Sequence, residues 1–206
     1  PDKDVQALIS PYTNQVQKIK EADLKVSAAA PFVRNYTAEN SVGNLMSDLL
    51  LDAYPGFDAA LLNGGGLRAD IPAVSLQYGH IFNVLPFDNR VALIDVTGRQ
   101  LIKLVETGIS GQNGVFAWSG LEFTASECQV QKISVRGKAL DEAKNYKIVT
   151  IDYLATGGSG VDKVDLQPEQ VDILWNGDTI LRDVIAKMLG QQEGKTLNPK
   201  DYYDSS

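Results

Sequence analysis

Apolar residues recur at helical spacing in four places along the chain. Val5, Leu8, Ile9, Tyr12, Val16 and Ile19 mark an amphipathic helix running to about residue 19, and Pro11 predicts an interruption because proline lacks a backbone donor and crowds the preceding turn. Val42, Leu45, Met46, Leu49, Leu50 and Ala53 mark a second helix, stopped by Tyr54-Pro55-Gly56. Thr97-Gly98 opens a third, with Leu101, Leu104 and Val105 on one face. The last starts near Asp178, carries Ile180, Leu181, Val184, Ile185, Met188 and Leu189, and has Gly190 just past its end. Between them FDAALL, RVALIDV, the pair LEFTAS and QKISVRG, and the long run NYKIVTIDYLA read as strands, while YGHIFNVLPFDN reads as a helical turn entering a loop. From 20 to 38 the pattern dissolves into a polar, alanine-rich connection, so the first helix reads as a linker element. No internal repeat is present. The implied class is α+β, a single layered domain with a mixed β-sheet and flanking helices, preceded by a linker helix.

Two glycine loops follow strands. In LLNGGGLR, three consecutive glycines each cost backbone entropy, and their turn would let backbone N–H groups approach a ligand, with the Arg68 fork completing an anion site. A Gly-rich turn beside an ordinary surface arginine fits the spacing equally well, since neither the dinucleotide fingerprint nor a Gly-Lys-Ser/Thr loop is present. In DYLATGGSG, Tyr153 sits at a strand end before the second glycine turn, and in LPFDN, Phe87 follows a proline on another loop. Exposed aromatics in such places can stack on a flat ring, at roughly 1–3 kcal/mol per stacked base. Packing in the core is the alternative for each.

Composition narrows the classes. With 44% hydrophobic and 22% charged residues, the 206-residue chain has the make-up of an ordinary globular domain with one sizeable core. A net charge of −7 repels nucleic-acid polymers and anionic membrane surfaces. A small anion held by local arginines is still allowed, because screening confines surface fields to about 8 Å. Cys128 is the only cysteine, which excludes an intrachain disulfide and a thiolate metal cluster. No run approaches the ~20 apolar residues of a membrane helix, and residues 1–4 do not open a signal peptide. His80 is the single histidine, so an Asp/His/Asn two-metal centre is not expected here; a packed or surface role is.

Taken in order, RNYTAENSVGNLMSDLLLDA, LLNGGGLRADI, LPFDN and YKIVTIDYLATGGSGVDKV closely resemble the C-terminal, substrate-binding domain of the 5'-nucleotidase and UDP-sugar hydrolase family. The resemblance covers roughly 31–189 and implies a division into 1–30, interdomain linker helix and connection, and 31–206, substrate-binding domain. It implies that a metallophosphoesterase domain of the same polypeptide, absent from this chain, holds two divalent metal ions and hydrolyses nucleoside phosphates, cyclic nucleotides or nucleotide sugars. This chain would then carry no catalytic residue, metal or cofactor, and the location would be periplasmic or extracellular. By the same resemblance, Phe87 is the first ring of a nucleobase clamp and Tyr153 the second, where the family usually has phenylalanine. Asn63 and Asn89 match positions that touch base or ribose, Gly65 and Gly66 the loop against the substrate, and Arg68 a phosphate contact. Two positions depart: Tyr36 stands where an arginine is common, with Arg34 the nearest substitute, and Ser159 stands where the family's GGDG places an aspartate against the ribose hydroxyls. A nucleoside-binding module without catalysis and a protein-interaction domain with both aromatics in its core are the other classes the chain admits.

Overall fold

The computed structural model describes residues 3–111, 114–175, 177 and 179–203. In chain order its elements are α1 (Lys3–Lys20), β1 (Asp23–Ala28), α2 (Ser41–Ala53), β2 (Ala59–Leu62), β3 (Ser75–Gln77), α3 (Tyr78–Val84), β4 (Val91–Thr97), α4 (Gly98–Ile109), β5 (Ala117–Ser119), β6 (Leu121–Ser126), β7 (Gln129–Val135), β8 (Lys138–Ala139), β9 (Asn145–Ile151), α5 (Asp152–Ala155), β10 (Val171–Ile173), α6 (Leu181–Gly190) and β11 (Thr196–Leu197). The fold is α+β, with three sheets among the described residues.

The main sheet has the strand order β10-β4-β9-β2-β5 and is mixed. β9 is its spine: it runs antiparallel to β4 over seven paired residues, from Val91 opposite Ile151 to Thr97 opposite Asn145, and parallel to β2. Its last four residues are all buried, which is why it reads as an almost continuous apolar run rather than an alternating one. The buried Thr150 hydroxyl donates to the Leu61 carbonyl at 2.8 Å, adding a side-chain tie between β9 and β2. α2 packs on β2 and β5, with Val42, Leu45, Met46 and Leu50 fully buried. Its start is set by Asn40, whose side-chain oxygen accepts from the Gly43 amide at 2.9 Å. α4 packs on β4 and β9 and begins with a capping box between Thr97 and Gln100. LEFTAS and QKISVRG pair as β6 and β7 in a separate three-stranded sheet with β8.

Four local expectations change. α1 runs unbroken through Pro11, since a proline removes only one intrahelical bond and here the Ser10 hydroxyl adds one to the Gln6 carbonyl. The segment 20–38 is not wholly a connection: β1 pairs with β3 on one side and β11 on the other, burying Leu24, Val26 and Ala28. β9 stops at Ile151, and residues 152–155 wind into α5, because the Asp152 carboxylate accepts from the Tyr153 amide and its carbonyl accepts from the Thr156 hydroxyl. Finally, α6 begins at Leu181, Asp178 lies outside the described residues, and Gly190 is the helix's last residue rather than its cap.

A Cβ on Gly190 would meet nothing within 4 Å, and its φ is not in the left-handed region. Gly190→Ala is therefore expected to stabilise the chain by about 0.5–1 kcal/mol, the helix-propensity difference, seen as a raised urea midpoint at unchanged slope. A lowered midpoint would show that α6 ends before Gly190.

Candidate functional site

Sheet topology delivers three loops to one place. β2 and β9 are parallel, so the glycine turn after β2 and the Tyr153 segment after β9 leave the sheet at the same end. β4 is antiparallel to β9, so the segment 85–90 that enters it arrives there too. A recess at this end is lined by Asn63, Gly66, Phe87 and Asn89 above an apolar floor of Leu62, Leu67, Leu85, Ile151 and Leu181. Of the residues singled out in the sequence, these four polar, glycine and aromatic positions share one concavity. Gly65, Arg68 and Arg34 lie on its glycine side and Tyr153 and Ser159 beyond Ile151, outside the lining itself.

Gly64–Gly66 form one turn of 3-10 helix. Two of its glycines answer to packing: a Cβ on Gly64 would stand 2.3 Å from the Val115 carbonyl oxygen, and one on Gly66 would stand 3.0 Å from the side-chain oxygen of Asn63. The amides of Gly66, Leu67 and Arg68 donate to the carbonyls of Asn63, Gly64 and Val84. An anion nest built from those three N–H groups is thus not what the turn offers. It offers arginines instead. Arg34 Nη1 donates to the Leu67 carbonyl at 2.9 Å and Arg68 Nη1 to the Gly65 carbonyl at 3.3 Å, so two guanidinium groups meet at one turn, Arg68 from just after it and Arg34 from the segment between β1 and α2. Each fork has five donors, and an anion beside this turn could draw on the remainder. Tyr36, by contrast, has its backbone carbonyl bonded to the Val115 amide and its ring against Gly114.

Phe87 is 49% exposed and Tyr153 45%, so neither ring is core. Tyr153 lies against the second glycine loop: a Cβ on Gly158 would come within 2.6 Å of ring carbons, and the Tyr153 hydroxyl accepts from the Ser159 amide at 3.3 Å. Ser159 has φ +53°, and its side chain is buried, with Oγ lacking a hydrogen-bond partner among the described residues. Asn63 is buried and Asn89 half-buried, its carbonyl accepting from the Leu181 amide at 2.9 Å.

One participant escaped the sequence reading. Arg182, 8% exposed in the first turn of α6, reaches the loop that carries Phe87 and bonds to the carbonyls of Leu85 and Phe87 and the carboxylate of Asp88. Burial alone would depress its pKa, but the bonds to Asp88 and Tyr78 outweigh burial and raise it. The Tyr78 hydroxyl is likewise pushed up, by burial first and then by its bond to Asp183. A signal was available: a cation in a helix's first turn opposes the macrodipole and needs a reason. His80 has a structural one, since its Nδ1 accepts from the Gln77 amide at 3.0 Å and caps α3. Among the described residues no group of three or more His, Cys, Asp or Glu comes together in a way that could hold a metal ion.

Known proteins share this fold. Residues 15–165 match the family described as 5'-nucleotidase, C-terminal domain. The protein UshA of Escherichia coli K12 is 27% identical over 189 residues, which is 88% of this chain and 34% of that protein, so the chain spans about a third of such a relative. The crystal structure of a 5'-nucleotidase precursor from Thermus thermophilus superposes with a TM-score of 0.77 at 23% identity over 93% of this chain and 40% of its own. The NAD nucleotidase of Haemophilus influenzae does so at 0.73 and 17% identity, covering all of this chain and 40% of its own. The family match takes in most of the chain, every strand of the five-stranded sheet except β10, and all three recess loops: the chain belongs to the family of 5'-nucleotidase C-terminal domains.

Proposed function

We propose that this chain is the substrate-binding domain of a metal-dependent 5'-nucleotidase-type phosphoesterase, gripping the nucleoside part of a nucleotide whose phosphate ester is hydrolysed elsewhere in the same polypeptide. The observation that carries this reading is the recess at the sheet end, where Asn63, Gly66 and Asn89 meet a half-exposed Phe87 over an apolar floor. Apolar walls with a few convergent polar groups are the lining of small-molecule sites, and the exposed Phe87 and Tyr153 rings stand beside them. Phe87 and Tyr153 would stack on the two faces of the nucleobase, Asn63 and Asn89 would meet its edge or the ribose, and Gly65 and Gly66 would let it lie close to the backbone. The arginine forks of Arg34 and Arg68 fit the phosphate side. Ser159, with its side chain buried, fits indirect support of Tyr153 better than direct contact with ribose. In the proposed whole protein two divalent ions on an N-terminal metallophosphoesterase domain supply the hydroxide and the charge stabilisation for hydrolysis.

The state of α1 supports the linker assignment. Val5, Leu8, Ile9, Tyr12, Val16 and Ile19 are each half or more exposed, an unpaired apolar stripe suited to contact outside the substrate-binding fold. No described helix is long and apolar enough to cross a membrane, and a periplasmic or extracellular location is proposed from the family.

Calorimetric titration with adenosine tests the reading. Phe87→Ala should weaken binding by roughly 1–3 kcal/mol while hardly moving the melting temperature. A loss of about 3–5 kcal/mol of stability instead would show a packing ring and reject the clamp. Tyr153→Phe should keep the stacking but strand the Ser159 amide, read as faster hydrogen exchange at that amide and a stability loss of about 0.5–1.5 kcal/mol. The 206-residue chain supplied with Mn²⁺, Zn²⁺ or Mg²⁺ should hydrolyse no nucleotide, and metal-dependent turnover that survives repurification would contradict the division of labour.

A further inference from the structure

A stacking ring is useful only if it is held still. Phe87 stands on an irregular stretch between α3 and β4, half of its surface open to solvent, with no ladder of its own to fix it. What fixes that stretch is the start of α6. The carbonyls of Leu85 and Phe87 accept from Arg182 Nη1 at 3.4 Å, the Asp88 carboxylate accepts from Nη2, and the Asn89 carbonyl accepts from the Leu181 amide at 2.9 Å. Arg182 Nε in turn donates to the Tyr78 hydroxyl at 3.0 Å, and Tyr78 donates to Asp183. The guanidinium also lies 4.9 Å from the centre of the Phe82 ring.

Four of the five guanidinium donors are used, three of them on the loop that carries Phe87. Burying a cation, and doing so at the positive end of a helix, is costly unless its bonds are well made. An apolar residue would close this part of the core at least as cheaply, so the fork geometry points to a task that packing alone does not need. A planar fork can bridge two carbonyls and a carboxylate at once, whereas a lysine ammonium cannot hold all three in one plane.

We propose that Arg182 is the positioning residue for the Phe87 ring: it locks the 85–89 loop to α6 and so sets the stacking geometry of the nucleoside site. This rests on the reading of Phe87 as a base-stacking ring. The Asn89 carbonyl is held by the Leu181 amide whatever stands at 182, so Arg182 acts through Phe87 and touches no part of the ligand, and its effect on affinity should vanish when the ring is absent.

A double-mutant cycle on the 206-residue chain, with adenosine titrated calorimetrically, measures this. Arg182→Met keeps an unbranched apolar stem without the fork and should weaken binding roughly tenfold or more, the size of one or more bonds from a charged donor. Arg182→Lys should weaken it as well, because charge without the fork does not fix the loop. In the Phe87→Ala background neither substitution should change affinity more than about twofold, a non-additivity expected for residues acting as one unit. If Arg182→Met does not fold, Asp88→Ala removes one arm of the network at a side chain 75% exposed and should give the same pattern more weakly. Full affinity in the Arg182 variants, or effects that add to that of Phe87→Ala, would overturn the positioning role alone. If Phe87→Ala itself leaves affinity unchanged, the clamp is wrong and the positioning role falls with it.

Discussion

Everything at the candidate site depends on the register of β9 against its two neighbours. With Val91 opposite Ile151 and Ala59 opposite Ile148, the ends of β2 and β9 and the beginning of β4 fall at one level. Over the alternating first half of β9, a slip of one residue would turn Tyr146 and Ile148 outward and carry Asn145 or Lys147 into the core. Burying those polar and charged side chains makes such a slip prohibitive. A core constraint therefore also fixes where Asn63 and Asn89 meet, with Tyr153 following Ile151 at the same end of the sheet, and no loop has to find its place by itself. Ligand sites at the carboxyl ends of parallel strands are common in layered α/β proteins for a related reason.

Close backbone approach is the second constraint. Gly64 lies under the Val115 carbonyl, and elsewhere Gly98 lies against the Asp141 carbonyl and Gly120 against that of Asp58, each too near for a Cβ. These contacts bring the loops down onto the sheet. Charge is local in the same sense. The chain as a whole is acidic, yet two arginines face one turn, where the field of each is felt within a few ångströms and the distant carboxylates are screened.

The helices with buried stripes were legible because period and end signals agreed: α2 ends before Tyr54-Pro55-Gly56, and α4 starts after Thr97. The four ordered motifs likewise pointed to the family and to the loops that form the recess. What stayed hidden depended on distant partners or on a single local bond. β1 offers only Leu24, Val26 and Ala28 in alternation, and its partner β11 comes from the other end of the chain. α5 continues an apolar run and differs from strand only because Asp152 and Thr156 close a turn. Three glycines in a row suggested open amides, but carbonyls inside the turn and at Val84 take three of the neighbouring N–H groups. Arg182 looked like one charge in an amphipathic helix, since its acceptors are about a hundred residues away in sequence.

The pairing of β1 has a mechanical side. α1 passes almost directly into β1, which is the middle strand of its sheet, parallel to β11 and antiparallel to β3, with the Lys25 carbonyl accepting from the Gly194 amide and the Ser27 amide donating to the Lys195 carbonyl. A pull on α1 along the chain would load those bonds in shear, all together, rather than peel them singly. The force would pass into β11, β3 and the base of α6, and the β9 ladder that sets the recess would lie off the load path. The β9 ladder would keep its register, whereas α3, which touches α1 through Lys20 and Phe82 and leads into the 85–89 loop, would feel the pull directly.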